Sequence, residues 1–200
     1  MLGNRIGNDK PKLMRIKELT HKAMSGEISF RAALDERMRI ALPTKFDVET
    51  FAKENCPSLF THGVEDLVGT LLGRKKDVFI LSGGFRDLII PFATHLGIPD
   101  DNVFAVEVKW DEDTGVCLGI DDERSNGFAT SKLGGAKRIA LKRFSKNSSV
   151  VVGDGYTDYE LYRKGIASNF VAYTEHVRRQ AVIDVAPYCA ESIADLERLL

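Results

Sequence analysis

Three short segments of this chain carry hydroxyl, lysine and carboxylate side chains in a pattern suited to handling phosphate. In the first, Ser82 and the glycines Gly83 and Gly84 directly follow the apolar residues 79–81. Glycine lets the backbone come close to a ligand, and the start of a following helix offers free N–H groups and a positive dipole end. The Ser82 hydroxyl adds a donor, so the segment favours a bound phosphate, although serine and glycine also serve purely conformational roles in such turns.

A second segment places two carboxylates after an apolar run. Asp154 follows residues 150–153, and Asp158 comes four residues later, in the first turn of a predicted helix. Ligands bind outside the carboxyl ends of strands in open α/β sheets, and a carboxylate there suits a hard cation such as Mg²⁺, which prefers oxygen ligands. The structural alternative is that Asp154 closes a turn and Asp158 caps the helix.

Two further charged features are weaker evidence for a phosphate or metal site. Lys137 lies between the first two segments, near the start of a predicted helix that follows a Gly-Gly pair. A lysine on a helix is most often a solvated charge, so only its order in the chain connects it with phosphate. Asp111 and Asp113 look like a carboxylate pair, but they precede Gly115 between two short predicted strands, which is typical of a hairpin tip.

The pattern of apolar residues changes once along the chain, from helices alone to strands that alternate with helices. Residues 12–55 contain only helical patterns, and the alternation begins at about residue 61. It predicts an α/β fold, a Rossmann-like parallel sheet with helices on both faces, plus a small helical cap. The predicted strands are 78–81, 103–108, 116–120, 149–152, 167–171 and 188–190, and the predicted helices after residue 60 are 64–72, 86–96, 136–144, 157–163, 177–184 and 192–199.

Composition narrows the class of protein. Lys+Arg 28 nearly cancels Asp+Glu 29, so no nucleic-acid or anionic-membrane partner is indicated. The start of the chain has no apolar region typical of a signal peptide, and the longest apolar stretches are too short to span a bilayer. The histidines show no zinc spacing, and the cysteines form no Cys-x-x-Cys. We therefore expect a cytoplasmic protein with reduced thiols.

In their order, the three segments resemble motifs II, III and IV of the haloacid-dehalogenase superfamily, and in particular its phosphoserine phosphatase branch. The helical region carries that branch's Ala-Met-x-Gly pattern at residues 23–26 and its Phe-x-x-Ala-Leu-x-x-Arg pattern at residues 30–37. The resemblance covers about residues 12–200. It implies Mg²⁺-dependent hydrolysis of L-phosphoserine to L-serine and phosphate, a step of serine biosynthesis.

The resemblance also implies a role for each matching residue that handles phosphate. Ser82 and the two glycines after it would hold the phosphoryl oxygens, and Lys137 would neutralise their charge during transfer. Asp154 would coordinate Mg²⁺, and Asp158 would support that metal ligand.

The cap residues would bind the rest of the substrate. Arg37 would clasp the substrate carboxylate in a bidentate pair, while Met24 and Phe30 would pack over the small organic part. Two alternatives stay open: a phosphatase of the same superfamily that acts on another small phosphomonoester, and a non-catalytic protein that binds phosphate or an amino acid.

One motif of the family has no counterpart in this chain. Motif I, Asp-x-Asp-x-Thr/Val at the end of the first strand, supplies the nucleophile that forms an aspartyl-phosphate, together with the general acid and base. The only acidic residues among residues 1–20 are Asp9 and Glu18, and neither lies in that pattern. The glutamate that binds the substrate amine in the family has no counterpart either. We therefore expect an atypical N-terminus at 1–11, a helical cap at 12–58, a core at 59–200 without its central first strand, and no turnover.

Overall fold

The computed structural model describes residues 9–24, 27–143 and 147–200, without the side chains of residues 24 and 140–143. The helices are α1 (Lys10–Met24), α2 (Phe30–Ala41), α3 (Lys45–Asn55), α4 (Val64–Gly73), α5 (Arg86–His95), α6 (Lys132–Arg143), α7 (Tyr156–Arg163), α8 (Gln180–Ile183) and α9 (Ile193–Leu199). The strands are β1 (Ile80–Phe85), β2 (Val103–Trp110), β3 (Cys117–Asp121), β4 (Val150–Gly153), β5 (Asn169–Tyr173) and β6 (Tyr188–Ala190).

The described chain forms two compact units, each with its own three-stranded sheet. The residues as far as Ser58, together with Ile80–Ser131, make the first unit, and Leu59–Phe79 with Lys132–Leu200 make the second. In the part of the chain that is described, no helix combines the length and apolarity needed to cross a bilayer.

The first unit joins the helical segment α1–α3 to the sheet β1-β2-β3. Helices α2 and α3 begin at strong caps, because Ser29 accepts a hydrogen bond from the Ala32 N–H and Thr44 forms a capping box with Asp47. The apolar face of α2 packs against the sheet in one core cluster, whose buried members are Leu34, Met38, Phe85, Val106, Val108, Ile120 and Ala129. This packing fixes the position of α2 relative to the end of β1.

Strand β1 carries the Ser-Gly-Gly segment inside a break in its pairing. It runs parallel to β2, with Leu81 opposite Phe104 and Phe85 opposite Val106, so the three residues 82–84 stand opposite the single residue Ala105. The sequence predicted that this strand ends at residue 81. The strand continues to Phe85 because the extra residues are looped out without ending the pairing.

The second unit holds a wholly parallel sheet in the order β4-β5-β6. Its central strand β5 is buried, with Phe170 and Ala172 packed against Val182 on one side and Val171 against Leu67 and Leu196 on the other. Consecutive residues of β5 are apolar and face opposite sides of the sheet, so both faces are covered, as parallel sheets require.

The predicted fold class is confirmed: parallel strands are flanked by helices in an α/β structure. The predicted hairpin at Asp111 and Asp113 is also present, since β2 and β3 pair antiparallel on either side of it. The predicted helix 177–184 is wrong in length, because only Gln180–Ile183 is helical. The compact units group residues 80–131 with the helical segment, whereas the cap and core boundaries proposed from sequence stay a prediction.

Candidate functional site

The Ser-Gly-Gly loop of β1 brings a hydroxyl and an aromatic ring together in the first unit. The Ser82 Oγ accepts a hydrogen bond from the Gly84 N–H at 3.0 Å, so the hydroxyl proton stays available for an acceptor. A Cβ added at Gly83 would lie 3.0 Å from Phe30 Cζ, which shows that the ring packs directly on this glycine. Of the residues predicted to bind substrate, Ser82, Gly83, Gly84 and Phe30 therefore lie together.

Arg37 projects from the next turns of the same helix, α2, as a half-buried cation. Its Nε donates to the Ala33 carbonyl at 3.2 Å and its Nη1 donates to Thr20 Oγ1 at 3.3 Å. Burial lowers the pKa of the Arg37 guanidinium. Within the described ranges no carboxylate forms an ion pair with it. A guanidinium held by neutral oxygens alone keeps donors for a bound anion.

In the second unit, Asp158 is a buried carboxylate with partners for both oxygens. Its Oδ2 accepts from the Gly155 N–H at 3.1 Å, and its Oδ1 accepts from Lys132 Nζ at 2.5 Å. A Cβ added at Gly153 would lie 2.3 Å from Asp158 Cγ. Only glycine therefore fits at the end of β4, and its absent side chain is what lets Asp158 pack against the strand.

Asp154 follows β4 directly and stays accessible. About half of its side chain, 47%, is exposed, and its one described ion pair joins Oδ2 to Arg179 Nη2 at 3.4 Å. The described residues contain no group of three histidine, cysteine or acidic side chains that could hold a metal. Mg²⁺ often keeps several waters and binds one or two carboxylates plus phosphate oxygens, and this donor set fits Mg²⁺ bound in that way.

The lysine that contacts Asp158 is Lys132, a residue that the sequence analysis did not single out. Lys137 is exposed on α6, and the structure describes no contact between it and the Asp158 carboxylate. Lys132 is the first residue of α6, which begins earlier than the predicted residue 136. The role predicted for Lys137 at the phosphate stays a prediction, and Lys132 is a second lysine that fits the same order of motifs. The side chain of Met24 lies outside the described residues.

Comparisons with known proteins agree on one family. Bovine phosphoserine phosphatase is 33% identical over 181 residues, covering 90% of this chain and 78% of that protein. The chloroplastic phosphoserine phosphatase of Arabidopsis thaliana is 34% identical over 167 residues, but this chain spans only 56% of its length. No family model matches the sequence.

A solved structure extends the agreement to the fold. A phosphoserine phosphohydrolase-like protein from Francisella tularensis superposes with a TM-score of 0.87 at 39% identity, covering 98% of this chain and 88% of the other. The likeness in fold therefore covers nearly the whole chain.

Proposed function

Because the chain belongs to the phosphoserine phosphatase family of phosphoric monoester hydrolases, we propose that its site binds L-phosphoserine. The observation that carries the proposal is Arg37, a half-buried guanidinium without a described carboxylate partner, on the same helix as Phe30, whose ring packs on the Ser-Gly-Gly loop. A small substrate with one carboxylate and one phosphate matches these groups.

For the phosphate half of the substrate, the proposed groups are taken separately in each unit. The Ser82 hydroxyl donates to a phosphoryl oxygen, since its own oxygen is already occupied by the Gly84 N–H. Lys132 replaces Lys137 as the proposed lysine that balances charge on the phosphate, because Asp158 holds its ammonium in place. Asp154 would hold Mg²⁺, which supplies further positive charge at the phosphate oxygens.

The serine half of the substrate is recognised by the cap helix. Arg37 binds the carboxylate as a charged guanidinium, the form that arginine keeps in proteins. Phe30 covers the short organic part, and Met24 is proposed for the same role from the sequence resemblance alone. Another small phosphomonoester with a carboxylate is the nearest competing substrate.

Turnover is a separate matter from binding. The only Asp-x-Asp in the 200 residues is Asp111 with Asp113, and Asp111 is engaged at the hairpin tip by the N–H and hydroxyl of Thr114 at 2.8 and 2.6 Å. We propose that the phosphate-binding groups named above bind and polarise the phosphate. Hydrolysis would also need an aspartate nucleophile on an upstream strand. A non-catalytic phosphate- or amino-acid-binding role is the second candidate, and the same observation favours it.

The test compares binding and hydrolysis of L-phosphoserine in the presence of Mg²⁺. The chain as given should bind L-phosphoserine and release essentially no phosphate, while an extended chain with an Asp-x-Asp-x-Thr strand should turn over. Loss of an activated nucleophile costs on the order of 10⁶ in rate. Arg37→Gln should weaken binding in both chains.

Two results would contradict the proposal. Turnover by the chain as given, abolished by Asp154→Asn, would mean that another residue is the nucleophile. Equal affinity for L-phosphoserine and for ethyl phosphate, which lacks the carboxylate and the amine, would exclude the proposed role of Arg37. A role in serine biosynthesis depends on this outcome. A cytoplasmic location stays a separate prediction.

A further inference from the structure

The carboxyl end of β4 is followed by two aspartates, and each of them forms an ion pair with one basic side chain. Asp158 pairs with Lys132 at 2.5 Å, and Asp154 pairs with Arg179 at 3.4 Å. All four side chains belong to the second compact unit. The proposed function uses Asp154, Asp158 and Lys132 but gives Arg179 no role, although its guanidinium lies against an oxygen of the proposed metal ligand.

The two ion pairs differ in how easily they can separate. In the pair of Asp158 with Lys132, the side chains are only 11% and 21% exposed, and the second carboxylate oxygen accepts from the Gly155 N–H. In the pair of Asp154 with Arg179, the side chains are 47% and 37% exposed, and no described residue donates to the other oxygen, Oδ1. Exposed ion pairs contribute little to stability, whereas breaking a buried pair leaves an uncompensated charge. The pair of Asp154 with Arg179 is therefore the one that can exchange partners.

The backbone holds Arg179 near the strand end but leaves its side chain free to rotate. Thr174, directly after β5, is buried, and its N–H and hydroxyl donate to the Ala190 carbonyl at 2.9 and 3.3 Å. Residues 175–178 are exposed, and Arg179 is the residue that begins α8. Partly exposed side chains change rotamer on fast timescales, so the Arg179 guanidinium can leave Asp154 without any change in the sheet.

We propose that Arg179 is a further phosphate-binding residue, which is held on Asp154 in the absence of metal and moves to a phosphoryl oxygen when Mg²⁺ binds. The inference rests on the proposed function, in which Asp154 holds the metal and phosphate oxygens complete its ligands. A guanidinium and Mg²⁺ compete for Asp154, because both are cations that bind carboxylate oxygens. A phosphate at the metal brings its oxygens to the displaced guanidinium, whose planar donors suit phosphate.

This exchange gives Arg179 opposite effects on the two ligands. It weakens metal binding when phosphate is absent, because the metal must break an ion pair and accept a nearby positive charge. It strengthens phosphate binding when metal is present, because the freed guanidinium gains an anion. An ion pair that only held the loop in position would produce neither effect in this combination.

Mn²⁺ binding to the full chain, followed by electron paramagnetic resonance, tests the first effect, since Mn²⁺ takes the same oxygen ligands as Mg²⁺. Without phosphate, Arg179→Gln should tighten Mn²⁺ binding about threefold, which is within the range for loss of an exposed ion pair. Arg178→Gln is the matched control, because it removes the same charge from the neighbouring residue, whose ion pair is with Glu191. Asp154→Asn should weaken Mn²⁺ binding in the native chain and in both variants.

Calorimetric titration with inorganic phosphate at saturating Mn²⁺ tests the second effect. This probe has no carboxylate, so the result does not depend on the proposed role of Arg37. Arg179→Gln should weaken phosphate binding about tenfold, the scale on which a hydrogen bond between charged groups contributes. Arg178→Gln should leave phosphate binding unchanged, and circular dichroism confirms that each variant is folded.

Both shifts are required, and the inference is overturned if either is missing or is matched by Arg178→Gln. Weaker Mn²⁺ binding in Arg179→Gln would also overturn it, because the arginine would then position Asp154 for the metal. If Asp154→Asn weakens Mn²⁺ binding but Arg179→Gln alters nothing, only this inference fails. Unchanged Mn²⁺ affinity in Asp154→Asn would contradict the metal role of Asp154 in the proposed function, and this inference with it.

Discussion

Two carboxylates with little exposed side chain, Asp158 in the second unit and Glu107 in the first, have different partners. Asp158 has a backbone N–H on one oxygen and the Lys132 ammonium on the other. Glu107 is nearly as buried but has only a long contact to Arg86. A carboxylate with close partners for both oxygens can hold a lysine in position, whereas a long contact compensates less of the cost of taking a charge out of water.

The largest expected effect comes from removing the partner of Asp158. Lys132→Met keeps the length of the side chain but removes its charge and donors, so an uncompensated carboxylate stays buried. The cost should be roughly 3 kcal/mol in the free energy of unfolding. Urea denaturation measures it, with Lys137→Met as the control on the same helix, because a substitution at an exposed position stays within about 0.5 kcal/mol. Equal effects of the two substitutions would contradict the described pairing.

A smaller effect tests how Asp158 packs against its strand. An alanine Cβ at Gly153 would lie 2.3 Å from Asp158 Cγ, so either the strand or the carboxylate must move. Gly153→Ala should cost about 2 kcal/mol, as overpacking does. Gly83→Ala is the matched change in the first unit. Its Cβ would meet only the end of the Phe30 ring, at 3.0 Å, and that ring can shift. Thermal unfolding should rank Gly153→Ala well below Gly83→Ala in stability.

The difference between these sites also explains what the sequence could predict. Local signals were sufficient to place Asp158 in the first turn of the helix after β4, because an acidic residue soon after a strand end is recognisable from spacing alone. The Asp111 hairpin and the strand Tyr188–Ala190 were predicted for the same reason. These features depend on residues close together in the chain.

Features that depend on distant residues were missed. Lys132 meets Asp158 across 26 positions, and spacing cannot tell which turn of α6 faces that carboxylate. The looped residues 82–84 depend on the register with β2. Glu107 gave no signal, because a glutamate within a strand pattern resembles any solvent-facing residue until the turn at Arg124 closes over it. The fold class was therefore predictable, and the contacts between elements were not.

The smallest expected effect has the opposite sign and concerns Glu107. Its pKa is raised in the folded state, so the native protein binds this proton more tightly than the unfolded chain does. The free energy of unfolding should therefore fall as pH rises above the ordinary glutamate value of 4.5 and level off beyond the folded pKa. Glu107→Gln removes the charge, so it should abolish this decline and stabilise the protein by about 1 kcal/mol at pH 7, the lower end of the desolvation penalty of a polar group.

Urea denaturation at several pH values between 4 and 8 measures this decline, and Glu123→Gln serves as the control because Glu123 is exposed. If Glu107→Gln lowers stability at pH 7, the carboxylate already has a partner that supports it, and the contrast with Asp158 fails.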